Sequence, residues 1–205
     1  MATTVVYYIN LDHRTDRRAH IERQLNSIGL VSQRIPAVYD KTRGILGCGK
    51  SHVRAVETFL KSGATYGIIL EDDFTFAGDL EPTRQMFREF FKAAIEWDVV
   101  MLAGNVLKDE EGPLPSLRKV LDAQTTSGYM ITREFAPILL ENLRHGVGHL
   151  ERHYMQTGRK NHNYCLDIYW KQLQPISKWY IFNPKLGIQM ESYSDIEHRR
   201  TNYGL

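Results

Sequence analysis

Glu71, Asp72 and Asp73 follow directly on the apolar run Gly67-Ile68-Ile69-Leu70. Three consecutive carboxylates repel one another unless they are solvated, paired with basic side chains or bound to a metal. A hard divalent cation, which takes oxygen ligands, suits such a cluster best. The apolar run itself reads as a strand buried on both faces, which puts the acids at its carboxyl end. The plainer reading is a solvated strand end leading into a loop.

Other side chains could join that chemistry. Arg14, Arg17 and Arg18 lie where a first strand gives way to a helix, a place where backbone N–H groups already favour anions, and Arg14 is the candidate contact for a diphosphate. Asp40 ends the stretch Arg34-Ile35-Pro36-Ala37-Val38-Tyr39-Asp40, read as a short second strand; an acid at such a tip can accept hydrogen bonds from a nucleoside. Gly128 opens a later strand and is a place where a ligand could approach the backbone. Asp167 is a single acid amid Cys165-Leu166-Asp167-Ile168-Tyr169-Trp170, costly to bury unless it is paired or used. Its alternative role is a helix acid paired with Lys171, four residues on.

Two tempting patterns carry less. His145, His149 and His153 have i, i+4, i+8 spacing, but Gly146 and Gly148 weaken the helix that would align them, and no HExxH is present. Gly44, Gly47 and Gly49 are expected to form a flexible loop. They match neither GxGxxG nor a P-loop, and Gly49-Lys50-Ser51 alone is a weak signal.

The elements that must position these groups read as one α/β domain over residues 1–205. Val5-Val6-Tyr7-Tyr8-Ile9 is β-branched and aromatic and stops at Asn10-Leu11-Asp12, which predicts a first strand. A helix follows, capped by Thr15, with Ile21, Leu25 and Ile28 on one face and Gly29 as its stop. After Ser51-His52 a second helix turns Val53, Val56 and Leu60 inward and closes at Gly63, directly before the strand that ends in the acids. Asp98 to Leu102, Ser127 to Ile131 and Trp179 to Phe182 read as further strands, and Leu107 to Leu117 as a surface loop.

Lys plus Arg number 26 against 24 Asp plus Glu, a net charge of +2 that provides no general reason to invoke nucleic acid or an anionic membrane. No apolar run approaches the roughly 18 residues of a membrane span or forms a signal peptide, so the expectation is a soluble, cytoplasmic chain. The two cysteines, Cys48 and Cys165, lack CxxC spacing and are expected to be thiols with no zinc site.

Four blocks taken in order resemble those of glycosyltransferase family 25: Asn10-Leu11-Asp12 with Arg14 and Arg17; Gly47-Cys48-Gly49-Lys50-Ser51-His52; Ile69-Leu70-Glu71-Asp72-Asp73; and Gln189 with Ser194-Asp195-Ile196. That family includes lipopolysaccharide-type sugar transferases and relatives of the collagen galactosyltransferases. The resemblance implies a GT-A fold, a Rossmann-like α/β/α sandwich with a mixed, mainly parallel sheet. It also implies a nucleoside-diphosphate sugar donor, most simply a UDP-sugar, a glycan or protein-linked acceptor hydroxyl, and Mn²⁺ or Mg²⁺. The nucleotide-binding part would run to about residue 105, with the acceptor side beyond it. Glu71-Asp72-Asp73 stands where such enzymes carry a DxD element, with Glu71 in place of the first Asp. Asp73 would make the direct metal contact and Asp72 would meet the ribose or sugar.

By the same resemblance Asn10, Leu11 and Arg14 form the nucleotide-side loop and Tyr39 and Asp40 the edge that holds the base; Ser51 and Gly128 are further candidates for nucleotide-sugar contact. A late histidine often adds a metal ligand in related folds, and His198 fits that place. Asp167 would be the base that takes the acceptor proton if the reaction inverts. Two other functions compete: a nucleotide-sugar-binding domain without turnover, and a phosphohydrolase of the DxDxT type, whose spacing Glu71-x-Asp73-x-Thr75 matches while its nucleophile does not.

Overall fold

A computed structural model describes residues 2–190 in full and residues 192–194 and 199–201 by their strand pairing alone. The chain runs β1 (Thr4–Asn10), α1 (Thr15–Ile28), β2 (Ser32–Pro36), α2 (Gly44–Ser62), β3 (Tyr66–Glu71), β4 (Phe74–Phe76), α3 (Leu80–Lys92), β5 (Val99–Met101), β6 (Asn105–Glu111), β7 (Leu117–Gln124), β8 (Gly128–Thr132), α4 (Ala136–Thr157), α5 (Leu166–Tyr169), β9 (Trp179–Phe182), β10 (Gly187–Gln189), β11 (Ser192–Ser194) and β12 (Arg199–Thr201). Eight strands form one sheet in the order β2-β1-β3-β8-β5-β9-β7-β6. Following the pairings across it, six strands (β1, β2, β3, β5, β6, β9) share one direction and two (β7, β8) oppose them. The sheet is therefore mixed and mainly parallel, as expected.

Alternation along the strands makes two cores. Tyr7, Ile9 and Ile69 face one layer with Val56, Phe59 and Leu139, from α2 and α4. Val6, Tyr8, Ile68 and Leu70 face the other with Ile21, Leu25 and Phe90, from α1 and α3. A strand covered on both faces must be apolar on both, which is why β1 and β3 read as continuous apolar runs. Gly29 and Gly63 end α1 and α2 with φ of 82° and 77°, the left-handed conformation that glycine adopts without steric cost.

Several expectations change. Thr15 is the first helical residue of α1 and does not cap it; Arg14 precedes it. The glycine segment is not a loop but the first turns of α2, because a Cβ on Gly47 would lie 2.5 Å from the Val38 carbonyl oxygen and one on Gly49 2.8 Å from Val147. Glycine there lets the helix lie against neighbouring backbone and side chain. The expected surface loop 107–117 instead contributes the edge hairpin of β6 and β7. Gly146 and Gly148 do not break α4, since the ring of Tyr169 packs where a Gly146 side chain would be. His145 and His153 therefore share one helix with His149, which stacks on Tyr164 with ring centroids 5.1 Å apart.

The close approach that Gly128 permits in the structure is that of Phe74. A Cβ at Gly128 would lie 2.7 Å from the ring of this fully buried phenylalanine, and one at Gly187 in β10 would lie 2.2 Å from it. Phe74 thus sits in a slot between two glycines and pins the chain immediately after the acids. Gly128→Ala is expected to lower stability by about 1–3 kcal/mol through overpacking. A urea midpoint equal to that of the unaltered protein would show that the ring has room to yield.

Candidate functional site

The chain leaves β1 for β2 on one side and then crosses to β3 on the other, so the sheet has a topological switch point at the carboxyl ends of β1 and β3. Crevices at such points are where open α/β sheets take ligands. Here the crevice is a cleft whose empty space, open solvent included, is about 790 Å³. Asn10, Leu11, Tyr39, Asp40, Ser51, Glu71, Asp72 and Asp73 line it, and so do Arg17, Cys48, His52 and Gln189, which are absent from the sequence-derived site set.

Asp72 and Asp73 form the turn between β3 and β4, and both are buried. Asn10, itself buried, donates from Nδ2 to Asp72 across the switch point at 2.7 Å, while its Oδ1 accepts from Arg34 at 3.0 Å. The Arg17 guanidinium meets Asp72 at 3.1 Å and Asp73 at 2.8 Å. Gln189 donates to Asp73 Oδ2 at 3.1 Å, and the Met190 N–H donates to the Asp73 carbonyl at 2.8 Å. Asp73 Oδ1 is buried and accepts no hydrogen bond from any described residue. Burial, reinforced by the charges of Glu71 and Asp72, pushes the Asp73 carboxyl up to about 7 against the pull of Arg17 and Gln189. Burial raises Asp72 too, opposed by Arg17 and Asn10.

Glu71 is handled differently. Its Oε1 accepts from the Thr126 hydroxyl at 2.6 Å and lies 3.2 Å from His52 Nε2, whose Nδ1 is 3.1 Å from the Tyr129 hydroxyl. Burial alone would raise Glu71, but His52 and Thr126 outweigh it and hold the carboxyl below its ordinary range. The spacing Glu71-x-Asp73-x-Thr75 does not gather into one site: Thr75 faces His20, 3.0 Å away.

Asp167 does not pair with Lys171, which meets Asp122 at 2.6 Å. Its Oδ2 instead accepts the Thr125 N–H at 3.3 Å, and burial raises its carboxyl, helped by the charge of Glu71. Thr125 has φ of 82°, a left-handed conformation that costs a β-branched residue energy. The strained loop after β7 thus ties two acids together, Thr125 holding Asp167 and Thr126 holding Glu71.

Other sequence-predicted residues have structural partners. The Arg14 guanidinium pairs with Asp16 at 2.8 Å and does not line the cleft; Arg17 is the arginine that reaches the acids. Position relative to the helix start is the signal that separates them. Arg17 precedes Ile21 by four residues and so continues the buried stripe Ile21, Leu25, Ile28, whereas Arg14 lies before the helix. Asp40 lies beyond β2 and accepts from the Arg43 N–H at 2.9 Å and the Thr42 N–H at 3.2 Å, holding the start of α2. The Ser51 hydroxyl donates to the Gly47 carbonyl and accepts the Val38 N–H, both within 2.8 Å. Tyr39 is 58% exposed at the cleft rim, its ring edge-on to His13. His198 lies outside the described residues. No helix among the described residues is long and apolar enough to cross a membrane.

No family model matches the chain. Two curated relatives, procollagen galactosyltransferases 1-A and 1-B of Xenopus laevis, are each 25% identical over 173 aligned positions, covering 68% of this chain. The match spans 28% of the length of those relatives. Among solved structures, a glycosyltransferase involved in glycosylation of the major capsid of PBCV-1 superposes with a TM-score of 0.54 over 96% of both chains at 9% identity, a likeness of fold alone. The chain is thus similar over part of their length to the procollagen galactosyltransferases and shares the fold of the PBCV-1 glycosyltransferase, in line with the resemblance to family 25 carried by its motifs.

Proposed function

We propose that this chain transfers a sugar from a nucleoside-diphosphate sugar, with a UDP-sugar as first choice, to a hydroxyl of a glycan or protein-linked acceptor, assisted by Mn²⁺ or Mg²⁺. One observation carries the reading: a buried carboxylate, Asp73, at the switch-point cleft, with one oxygen that no described residue bonds. A carboxylate oxygen is the donor that hard divalent cations take, so the residues present fit such an ion. Asp73 would hold it, with His198 as the second protein ligand proposed from the sequence. When bound, the ion neutralises charge on the departing diphosphate.

The chain's own groups do the remaining work. Asn10 and Arg17 fix Asp72 toward the cleft, where it meets the ribose or sugar, while Leu11, Tyr39 and Asp40 form the wall beside the nucleoside. Residues after about 106 supply the acceptor side. There the Asp167 carboxylate takes the acceptor hydroxyl proton as the new C–O bond forms at the sugar and the bond to the diphosphate breaks. A carboxyl raised by burial is the better base for that task.

Asp167→Asn is expected to lower kcat by about 10²–10⁴-fold, the usual worth of a general base, with KM for the donor little changed. Equal kcat would remove Asp167 from the chemistry. The reading as a whole is tested by incubating the protein with UDP-, GDP- and dTDP-sugars, with Mn²⁺ or with EDTA, and following nucleotide release. Consumption of one donor only with metal supports transfer. Tight binding without release makes this a binding domain, and release of inorganic phosphate makes it a phosphohydrolase.

A further inference from the structure

Cys48 and His52 are four residues apart in α2, and so lie one turn apart on the same face. That face meets the end of β3, where Glu71 emerges. Cys48 Sγ, a ring nitrogen of His52 and a carboxylate oxygen of Glu71 all lie within 4.8 Å of one another. His52 Nε2 and Glu71 Oε1 are 3.2 Å apart, close to the roughly 3.3 Å edge of a tetrahedron whose bonds are about 2.0–2.1 Å long. The supporting contacts are present as well. Tyr129 lies against His52 Nδ1 at 3.1 Å, which leaves Nε2 as the free ligand atom once Nδ1 donates to the hydroxyl oxygen, and Thr126 orients Glu71. All three residues line the cleft, which gives an ion a route in.

We propose that Cys48, His52 and Glu71 bind one borderline-soft divalent ion of the Zn²⁺ class, with its fourth position open to the cleft. The donor set of thiolate, imidazole and carboxylate is one that zinc takes and that Mg²⁺ or Mn²⁺ does not favour. The site is thus separate in chemistry from the all-oxygen position at Asp73. Binding displaces the Cys48 thiol proton to solvent, and thiolate plus carboxylate then balance the 2+ charge. The ion ties α2 to the end of β3. This inference does not depend on sugar transfer, and its test uses no donor.

The test is titration of the full chain, without a polyhistidine tag, with Co²⁺ as a spectroscopic stand-in and then Zn²⁺. The expected result is one equivalent of Co²⁺ per chain, with a thiolate-to-cobalt charge-transfer band that Zn²⁺ abolishes and excess Mg²⁺ leaves intact. Cys48→Ser should remove the band and weaken uptake by at least about 100-fold, while Cys165→Ser keeps both. Glu71→Gln should weaken uptake with the band retained, which decides the matter even if Cys48→Ser does not fold. Uptake without a thiolate band, a band that survives Cys48→Ser, unchanged affinity in Glu71→Gln, or no stoichiometric uptake would each overturn the site; binding only at the exposed histidines would give the first of these.

Discussion

Asp73→Asn is expected to lower metal-dependent kcat/KM by at least about 10²–10³-fold, while the variant folds. The magnitude is that of losing one group aimed at developing charge in a water-poor site. The amide keeps the shape of the carboxylate and removes the charge that would hold a cation beside the diphosphate. Initial rates across a Mn²⁺ series measure it. Wild-type activity that is equal with and without EDTA would sink both the prediction and the role of Asp73.

Folding should survive because the Asp73 charge is a cost in the absence of a cation. Its carboxyl is raised from 3.8 to about 7 by burial and by Glu71 and Asp72. An acid whose folded value is raised contributes stability that is fully present below about pH 3.8 and is lost as pH rises through about 7. In EDTA, the stability of the unaltered protein relative to Asp73→Asn should therefore fall as pH is raised from about 4 to about 8. Urea midpoints of the two proteins across that range give the sign directly, and a difference that stays constant would show that Asp73 does not titrate there.

Arg17→Ala is expected to cost about 3–5 kcal/mol of stability, the range for removing one partner from a buried ion pair. The guanidinium bridges Asp72 and Asp73 with only 12% of its side chain exposed, so solvent screens it weakly and its loss leaves both carboxylates beside Glu71 without that cation. For a chain of this length the loss corresponds to a fall in Tm on the order of 10 °C. Mn²⁺ should raise the Tm of Arg17→Ala more than that of the unaltered protein, because a divalent ion at Asp73 restores part of the missing charge. Arg17→Lys should fall between the two, keeping the charge but not the fork that reaches both acids. A Tm within a degree or two of the unaltered protein would show that the acids are solvated rather than held.

Much of the scaffold was legible because it follows from local rules. The apolar runs of β1 and β3, the helix stops at Gly29 and Gly63, and the acids at the strand end all depend on periodicity and backbone freedom over a few residues. The glycines of α2 were misread because their use is not local. Gly47 and Gly49 look like a loop until Val38 and Val147 are placed against them, and a helix started too late hides the one-turn relation of Cys48 to His52.

The use of Gly128 is likewise not local. A glycine at a strand start signals close approach, but only packing reveals that the approaching group is the Phe74 ring. Arg14, Arg17 and Arg18 cluster in the sequence, with Arg14 as the candidate for phosphate. Arg17 lies in the first turn of α1 and reaches the acids, while Arg14 precedes the helix and pairs with Asp16.

By itself the sequence determined the α/β class, the order of the early strands and the position of Asp72 and Asp73 at the mouth of β3. Those depend on hydrophobic period and on the cost of three adjacent carboxylates, both readable along a single chain. Tertiary structure alone decided the partners of the acids: Arg17 from α1, Asn10 from β1, His52 from α2, Thr126 from the loop after β7 and Gln189 from β10. Those five lie from 19 to 116 residues away from the acids they touch. The strand crossing that makes the switch point brings them to one place. Burial there raises both carboxyls, and the hydrogen bonds of His52 and Thr126 to Glu71 separate one held low from a neighbour two residues away raised to about 7.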